Sequence, residues 1–238
     1  GLSLKLPENL DPYAFDGALI NLDYEIETSV GWVSVPLGKY VVVDTVKTYG
    51  GVQIKALDYM ILLDKSLATV TTVGRIDDFI AGICARCNVV LGTLRTNIRA
   101  MANGTMLYSW AGQEKIQTCR DLLMWSCQVL GAFARFDREG RLEIVPVTER
   151  SLARGITPSQ RYNATVSDNF VNIGKVTMKV GDTEYAVGDG EQVLQLEESP
   201  FFASLAEGDI NVRLGNILNS ISSVGYNPSK IDGIGDPR

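Results

Sequence analysis

The 238-residue chain contains no histidine. It therefore lacks the side chain best suited to proton transfer near neutral pH, which is also the commonest metal ligand. A Ser-His-Asp triad, a Cys-His pair and an H-E-x-x-H zinc site are all excluded within the chain. Long apolar runs are missing too. No stretch approaches the ~18–20 residues that a helix needs to cross a bilayer, so no membrane partner is expected. Basic clusters are scarce, and the densest, Arg135 to Arg141, is interrupted by Asp137 and Glu139. With 22 basic against 28 acidic residues and a net charge of −6, the chain lacks the electrostatic footprint of a nucleic-acid binder. Gly38-Lys39 and Gly174-Lys175 are followed by Tyr40 and Val176, where a P-loop needs a hydroxyl. Neither G-x-G-x-x-G nor G-x-S-x-G occurs. Asn103-Gly-Thr105 and Asn163-Ala-Thr165 match the glycosylation sequon, but no secretion signal accompanies them. The chain starts at Gly1 without an initiator methionine and stops at GDPR, and is expected to be an excerpt of a longer protein.

Only four cysteines are present, two of them in Cys84-Ala-Arg-Cys87. That spacing suits a redox pair or half a zinc site. The other two, Cys119 and Cys127, are eight apart on one predicted helix, about 12 Å along its axis, and cannot share one ion. Redox cysteines sit at helix N-termini, where the thiolate is stabilised. Cys84 and Cys87 fall near the end of a predicted helix, where the dipole has the opposite sign. Core packing is the expected role of all four, and no metal or other cofactor is expected.

What the chain does have is period-two patterning and glycine, 23 residues of it. In GALINLDYEIE, Ala18, Ile20, Leu22, Tyr24 and Ile26 alternate with Asn21, Asp23, Glu25 and Glu27. This predicts a strand with one buried and one wet face. Pro36 to Gly38 is expected to turn the chain into a strand over Tyr40 to Val46, and Gly50-Gly51 to close a hairpin into VQIKALD. After Gly74 the period changes. Ile76, Phe79, Ile80, Ile83, Cys84 and Cys87 form one stripe of an amphipathic helix with Asp77 and Asp78 in its first turn. A second helix follows Thr118, a natural N-cap, and stops at Gly131. FARF, DREG and RLEIVPV then read as strand, turn and strand. The helices form a weak repeat: Asp78, Phe79, Ile80 and Cys84 match Asp121, Leu122, Leu123 and Cys127 at an offset of 43 (121 − 78). Arg150 to Asn169 reads as a loop or crossover. Strands follow around Val176 to Val180, in TEYAV and in EQVLQLEE, and a last helix runs from Asp209 to a stop at Gly225.

Paired carboxylates, Asp58 with Asp64 or Glu197 with Glu198, are the one enzymatic option the residues leave. They would suit a glycosidase that needs an acid and a nucleophile about 5–9 Å apart. Phe201 and Phe202, adjacent after Pro200, stand outside regular alternation. One of them is expected either to dock on a partner as a subunit-interface residue, or to tuck with its neighbour under a loop.

Taken in order, the segments FDGALINL, VPLGKYVV, VQIKALDYMILLDK, IDDFIAGICARCNV, TCRDLLMWSCQVLGAFARFDREGRLEIVPV, YAVGDGEQVLQLEESPFF and ILNSISSVGYNPSKIDGIGDPR resemble the hub proteins at the tail tip, or baseplate, of bacteriophages and prophages of Gram-positive hosts. The resemblance spans nearly the whole chain and rests on segment order, with no single diagnostic motif. It implies small β-barrels joined by α+β inserts. It also implies a trimer that caps the tail tube, with the tube ring above and a spike, fibre or hydrolase below, located in the virion tail. It carries over no catalytic residue.

The fold expected is α+β and β-rich, with barrel-like antiparallel sheets and an inserted two-helix α+β segment. Residues 1–70 are expected to form a β meander belonging to a first barrel, 71–150 the insert of two helix-strand units, and 151–238 a second β region with a C-terminal helix. The function expected is structural and non-enzymatic, with DNA only as passing cargo along an acidic wall. A wall-acting glycosidase or its carbohydrate-binding module is the alternative.

Overall fold

Four strands open the chain: β1 (Leu2–Leu6), β2 (Leu19–Thr28), β3 (Gly31–Thr48) and β4 (Gly51–Asp58). In the computed structural model they form an antiparallel sheet, ordered β1-β4-β3-β2, that curls into a half-barrel. The structure describes residues 1–7, 9–67, 73–109, 115–147, 161–166, 172–221 and 229–233, and of these 161–166 and 229–233 by their backbone. Val42, Val52, Ile54 and Ala56 are buried on the concave face, with Leu6, Phe15, Ile20 and Tyr40 packed around them. This is the predicted alternation, in which every second side chain meets a core. The Gly50-Gly51 hairpin forms as expected, Gly50 supplying a φ of +78°. The turn expected at Pro36 to Gly38 does not form. β3 runs straight through it, with Leu22 opposite Gly38, Asp23 opposite Pro36, and Leu37 left over as a β-bulge. A bulge tolerates proline, which has no N–H to give the ladder, and it bends the strand without ending it.

The central segment holds β5 (Val73–Arg75), α1 (Ile76–Cys87), β6 (Val90–Leu91), α2 (Arg95–Arg99), β7 (Leu107–Ser109), α3 (Cys119–Leu130), β8 (Ala132–Phe136) and β9 (Arg141–Pro146). β5 pairs with β7, while β6, β9 and β8 make a three-stranded sheet in that order, β6 running parallel to β9. The offset of 43 holds for whole elements. α1 and α3 are both 12 residues long, and 76 and 87 map onto 119 and 130. Each helix has an aspartate at its third position whose carboxylate accepts the cap N–H, Asp78 from Arg75 at 3.4 Å and Asp121 from Thr118 at 2.9 Å. Each ends on a left-handed residue, Asn88 at φ 55° and Gly131 at φ 59°. α1 and α3 pack together, each running into a strand of the same sheet.

The last segment contains β10 (Arg161–Val166), β11 (Lys175–Val180), β12 (Thr183–Gly188), β13 (Val193–Leu196), α4 (Glu207–Ile221) and β14 (Ser229–Gly233). Part of the stretch expected as a loop is therefore strand. β10 pairs antiparallel with β14, and the backbone ladder supplies an order that its mixed polar sequence does not announce. β11 is central, with β12 antiparallel on one side and β13 parallel on the other. To reach that side the chain crosses the start of β11 at Gly174 and Gly190, where a Cβ on Gly174 would lie 2.7 Å from the Gly190 Cα. The crossing closes only with glycine on both sides. α4 starts two residues before the expected Asp209, and Gly225, its expected stop, lies outside the described residues. α4 buries Ile210, Leu214, Ile217 and Ile221 against β11, β12 and α3.

Candidate functional site

All four thiols are buried and free. Burial raises the Cys84 thiol to about 11 and the Cys127 thiol to about 12. It raises Cys87 to about 12 with the help of a hydrogen bond to Cys119 across the α1–α3 contact. A pKa this high leaves almost no thiolate near neutral pH, and the thiolate is the nucleophile and the metal ligand. These cysteines fill the core, as their place on the apolar stripe predicts. Sequence spacing did not foretell the Cys87–Cys119 meeting, which joins two helices. Among the described residues no three His, Cys, Asp or Glu side chains gather closely enough to hold an ion.

Three of the four paired carboxylates are engaged elsewhere, while Glu197 lines an open groove beside α3. Asp58 accepts the Met60 N–H at 3.0 Å and caps a 3-10 turn, while Asp64 pairs with Arg120 at 2.7 Å. Glu198 accepts the Gly181 N–H and the Lys115 ammonium, which together hold its carboxyl below the usual range. A glycosidase acid needs the opposite shift. Asp137 is held down in the same way. Burial pushes its carboxyl up, but the Arg141 N–H and guanidinium outweigh that within the predicted DREG turn.

Two charged groups are buried: Asp77, expected only as a first-turn charge of α1, and Arg213. Asp77 has no exposed surface, and its Oδ2 accepts Arg95 Nε at 2.8 Å and Arg99 Nε at 2.9 Å. Burial raises this carboxyl, but the two arginines outweigh it and leave its pKa lowered. The arrangement staples α2 to α1. Arg213 is 9% exposed. Its guanidinium lies 4.3 Å from the centre of the Tyr108 ring and reaches the Leu107 carbonyl only at 3.4–3.5 Å. The sequence carried the signal for both. Arg95 and Arg99 are four apart on one helical face, and Arg213 interrupts the stripe of Ile210, Leu214 and Ile217.

Phe201 and Phe202 take the second of the two places expected for them, tucked under a turn of their own chain rather than docked on a partner. Both are fully buried in the chain's own core. Phe201 stacks on Phe79 with ring centroids 5.6 Å apart and meets the edge of Tyr108 at 5.5 Å. Neither presents surface to a second chain. The turn from Ser199 to Leu205 lets adjacent side chains enter one core, which a regular strand forbids. The first sequon is likewise internal. Asn103 is 5% exposed, donates to the Val129 and Arg213 carbonyls at 3.0 Å, and accepts from Asn216.

The exposed apolar surface lies elsewhere. An open groove of about 440 Å³ between α3 and β8 is floored by Met60, Leu123, Met124 and Phe133. The larger feature is the outer end of the β2–β3 hairpin, an arm beyond the bulge. Residues opposite each other in the ladder share a face, so Tyr24 with Val35 and Ile26 with Val33 extend the concave apolar face. That face is uncovered here, Tyr24 being 52% and Val33 44% exposed, with Val30 91% exposed at the tip. The other face carries Asp23, Glu25 and Glu27 beside Trp32, which is 68% exposed. No lysine or arginine occurs between Lys5 and Lys39. Both outer strands of the sheet, β1 and β2, have an open edge among the described residues. Open strand edges and uncovered apolar patches are both surfaces on which contacts form.

No protein-family model matches the chain, and no curated protein matches it in sequence. Among solved structures it is similar to the 43 kDa tail protein of prophage MuSo2 from Shewanella oneidensis, with a TM-score of 0.50 and 12% identity over 96% of this chain and 76% of that one. The tail protein from Neisseria meningitidis MC58 aligns over 70% of this chain and 56% of its own length, at 13% identity and a TM-score of 0.38. At such identities the likeness to the MuSo2 protein is one of fold.

Proposed function

We propose that this chain is a structural component of a phage or prophage tail, a hub at the tail tip that caps the tube and carries distal tail proteins. The observation that carries the reading is the shared fold with the MuSo2 tail protein, which extends over 96% of the chain. The open-edged half-barrel and its bare arm support it, because such surfaces become stable when neighbouring copies cover them. In this reading the chain does no chemistry. Three copies form a ring, a tube ring lies above, and a spike, fibre or hydrolase hangs below. The acidic face of β2 turns toward the channel, where like charge keeps passing DNA from sticking. The test is deletion of the gene from its lysogen followed by electron microscopy of the induced particles. Loss of complete tails, restored by the gene in trans, is expected. Normal, infective tails without the protein overturn the reading.

A further inference from the structure

The groove between α3 and β8 joins apolar walls to a strand edge and one spare charge. Arg120, Met124 and Gln128, four apart on one face of α3, form one wall. β8 forms the other. Ala132 and Ala134 lie on one face of that strand and Phe133 on the opposite face, and all three line the groove, so it runs along the strand's edge. Among the described residues β8 is an outer strand of its sheet. The Val147 N–H donates to the Gly131 carbonyl at 3.0 Å and the Asp137 N–H to the Arg141 carbonyl at 2.9 Å. In this antiparallel register the odd-numbered residues of β8 therefore turn their backbone groups to β9. The N–H and C=O of Ala132 and Ala134 point the other way, along the groove. The charges are unbalanced. Arg120 is already held by Asp64 at 2.7 Å. Glu197 is exposed and makes no ion pair among the described residues, while the Gln128 amide donates to its backbone carbonyl at 3.0 Å and ties it to the groove.

We infer that this groove binds an extended peptide segment of another protein, one that carries bulky apolar residues and a lysine or arginine. The segment pairs with β8 as an added strand, and main-chain hydrogen bonds to Ala132 and Ala134 hold it. Its side chains alternate, so one apolar residue lies on Met124 and the next on Phe133, which are 52% and 46% exposed without it. The two methionines of the groove, Met60 and Met124, adapt to side chains of different shape. The basic residue meets Glu197, the one charge of the groove that has no counter-ion. Charge also rules out the bare arm of a second copy as the occupant. Its Asp23, Glu25 and Glu27 would bring like charge to Glu197. A helix laid in the groove would leave the backbone groups of β8 unpaired. The inference goes beyond the tail reading and does not depend on it.

The test is selection of a random-peptide library displayed on ribosomes against the full chain, followed by fluorescence anisotropy with the selected peptides. Binders with alternating apolar residues and a lysine or arginine are expected. Met124→Arg should weaken them about tenfold or more, and Glu197→Lys about threefold. Glu197→Lys should also turn a repeated selection toward acidic peptides. Both positions are exposed, and circular dichroism melts verify folding. If Met124→Arg does not fold, Glu197→Lys and the backbone test decide. For that test the bound peptides are N-methylated at alternate positions. Methylation at one parity should abolish binding and at the other leave it nearly intact, because an added strand turns only every second N–H to its neighbour. A selection that yields no binder, or binders indifferent to both substitutions, overturns the site. Equal tolerance of methylation at both parities overturns strand addition. The gene deletion in the lysogen tests the tail reading independently of these outcomes.

Discussion

At position 77 a carboxylate with no exposed surface holds two half-exposed guanidiniums, and its other oxygen has no partner among the described residues. Removing its charge leaves Arg95 and Arg99 without a counter-ion and unfastens α2 from α1. Asp77→Asn is expected to cost about 2–3 kcal/mol at pH 7, measured by urea denaturation. The folded carboxyl lies below its unfolded value, so its contribution is complete above that value and disappears as pH falls through the folded pKa. The difference between wild type and Asp77→Asn should therefore be constant above about pH 5 and shrink below about pH 4. A gap that does not change with acid contradicts the assignment. The thiols give a second residue-scale expectation. A disulfide reagent at pH 8 should label none of the four rapidly, and all four should react at once in denaturant. Rapid labelling of one or two in the folded protein would show that a cysteine is reactive rather than packed. The sequence made the cysteines legible because periodicity locates a stripe. It left the burial of Asp77 and Arg213 unread and the place of the two phenylalanines undecided, because burial of a charge, or of adjacent rings, depends on what another segment brings to them.

Helices and hairpins were the most legible features, since caps, stripes and glycine turns act within a few residues. The repeat gains weight from structure, because length, acidic box and left-handed cap all recur at the same offset. Its two C-caps differ in chemistry, and this yields a paired expectation. Gly131→Ala places a Cβ in a left-handed conformation and 2.8 Å from the Ser220 Oγ, so it should destabilise the protein by about 1–2 kcal/mol. Asn88→Gly should change stability by less than about 1 kcal/mol, because asparagine already tolerates that region. Thermal melts of both variants check the pair, and equal losses would count against the cap argument. Elements defined by distant partners were hidden. Among the described residues β10 pairs with β14 alone, and β13 lies parallel to β11 after a crossover that local glycine signals present as a simple turn. Pro36 was misleading in the same way, since a turn and a bulge use the same residues.

On the scale of the whole molecule, one large core runs from Leu63 to Ile221 and a small one lies under the half-barrel. The arm projects beyond the smaller core. A chain alone gains nothing by displaying Val30, Trp32 and Val33 to water, and the proposed ring would offer neighbours to cover them. The α+β class was legible from the switch of period along the chain. The exposed apolar face of the arm was not, because alternation predicts which side chains share a face and is silent on whether that face is covered. Purified chain incubated with peptidoglycan should release no soluble sugar above the buffer control, and turnover would restore the wall-acting alternative.

The most direct measurement is quantitative mass spectrometry of purified tail particles from the source lysogen, calibrated with labelled peptides of this chain. The account predicts that the chain is present at three copies per tail, far fewer than the tube subunit. Particles with complete tails that contain none of it would contradict the account.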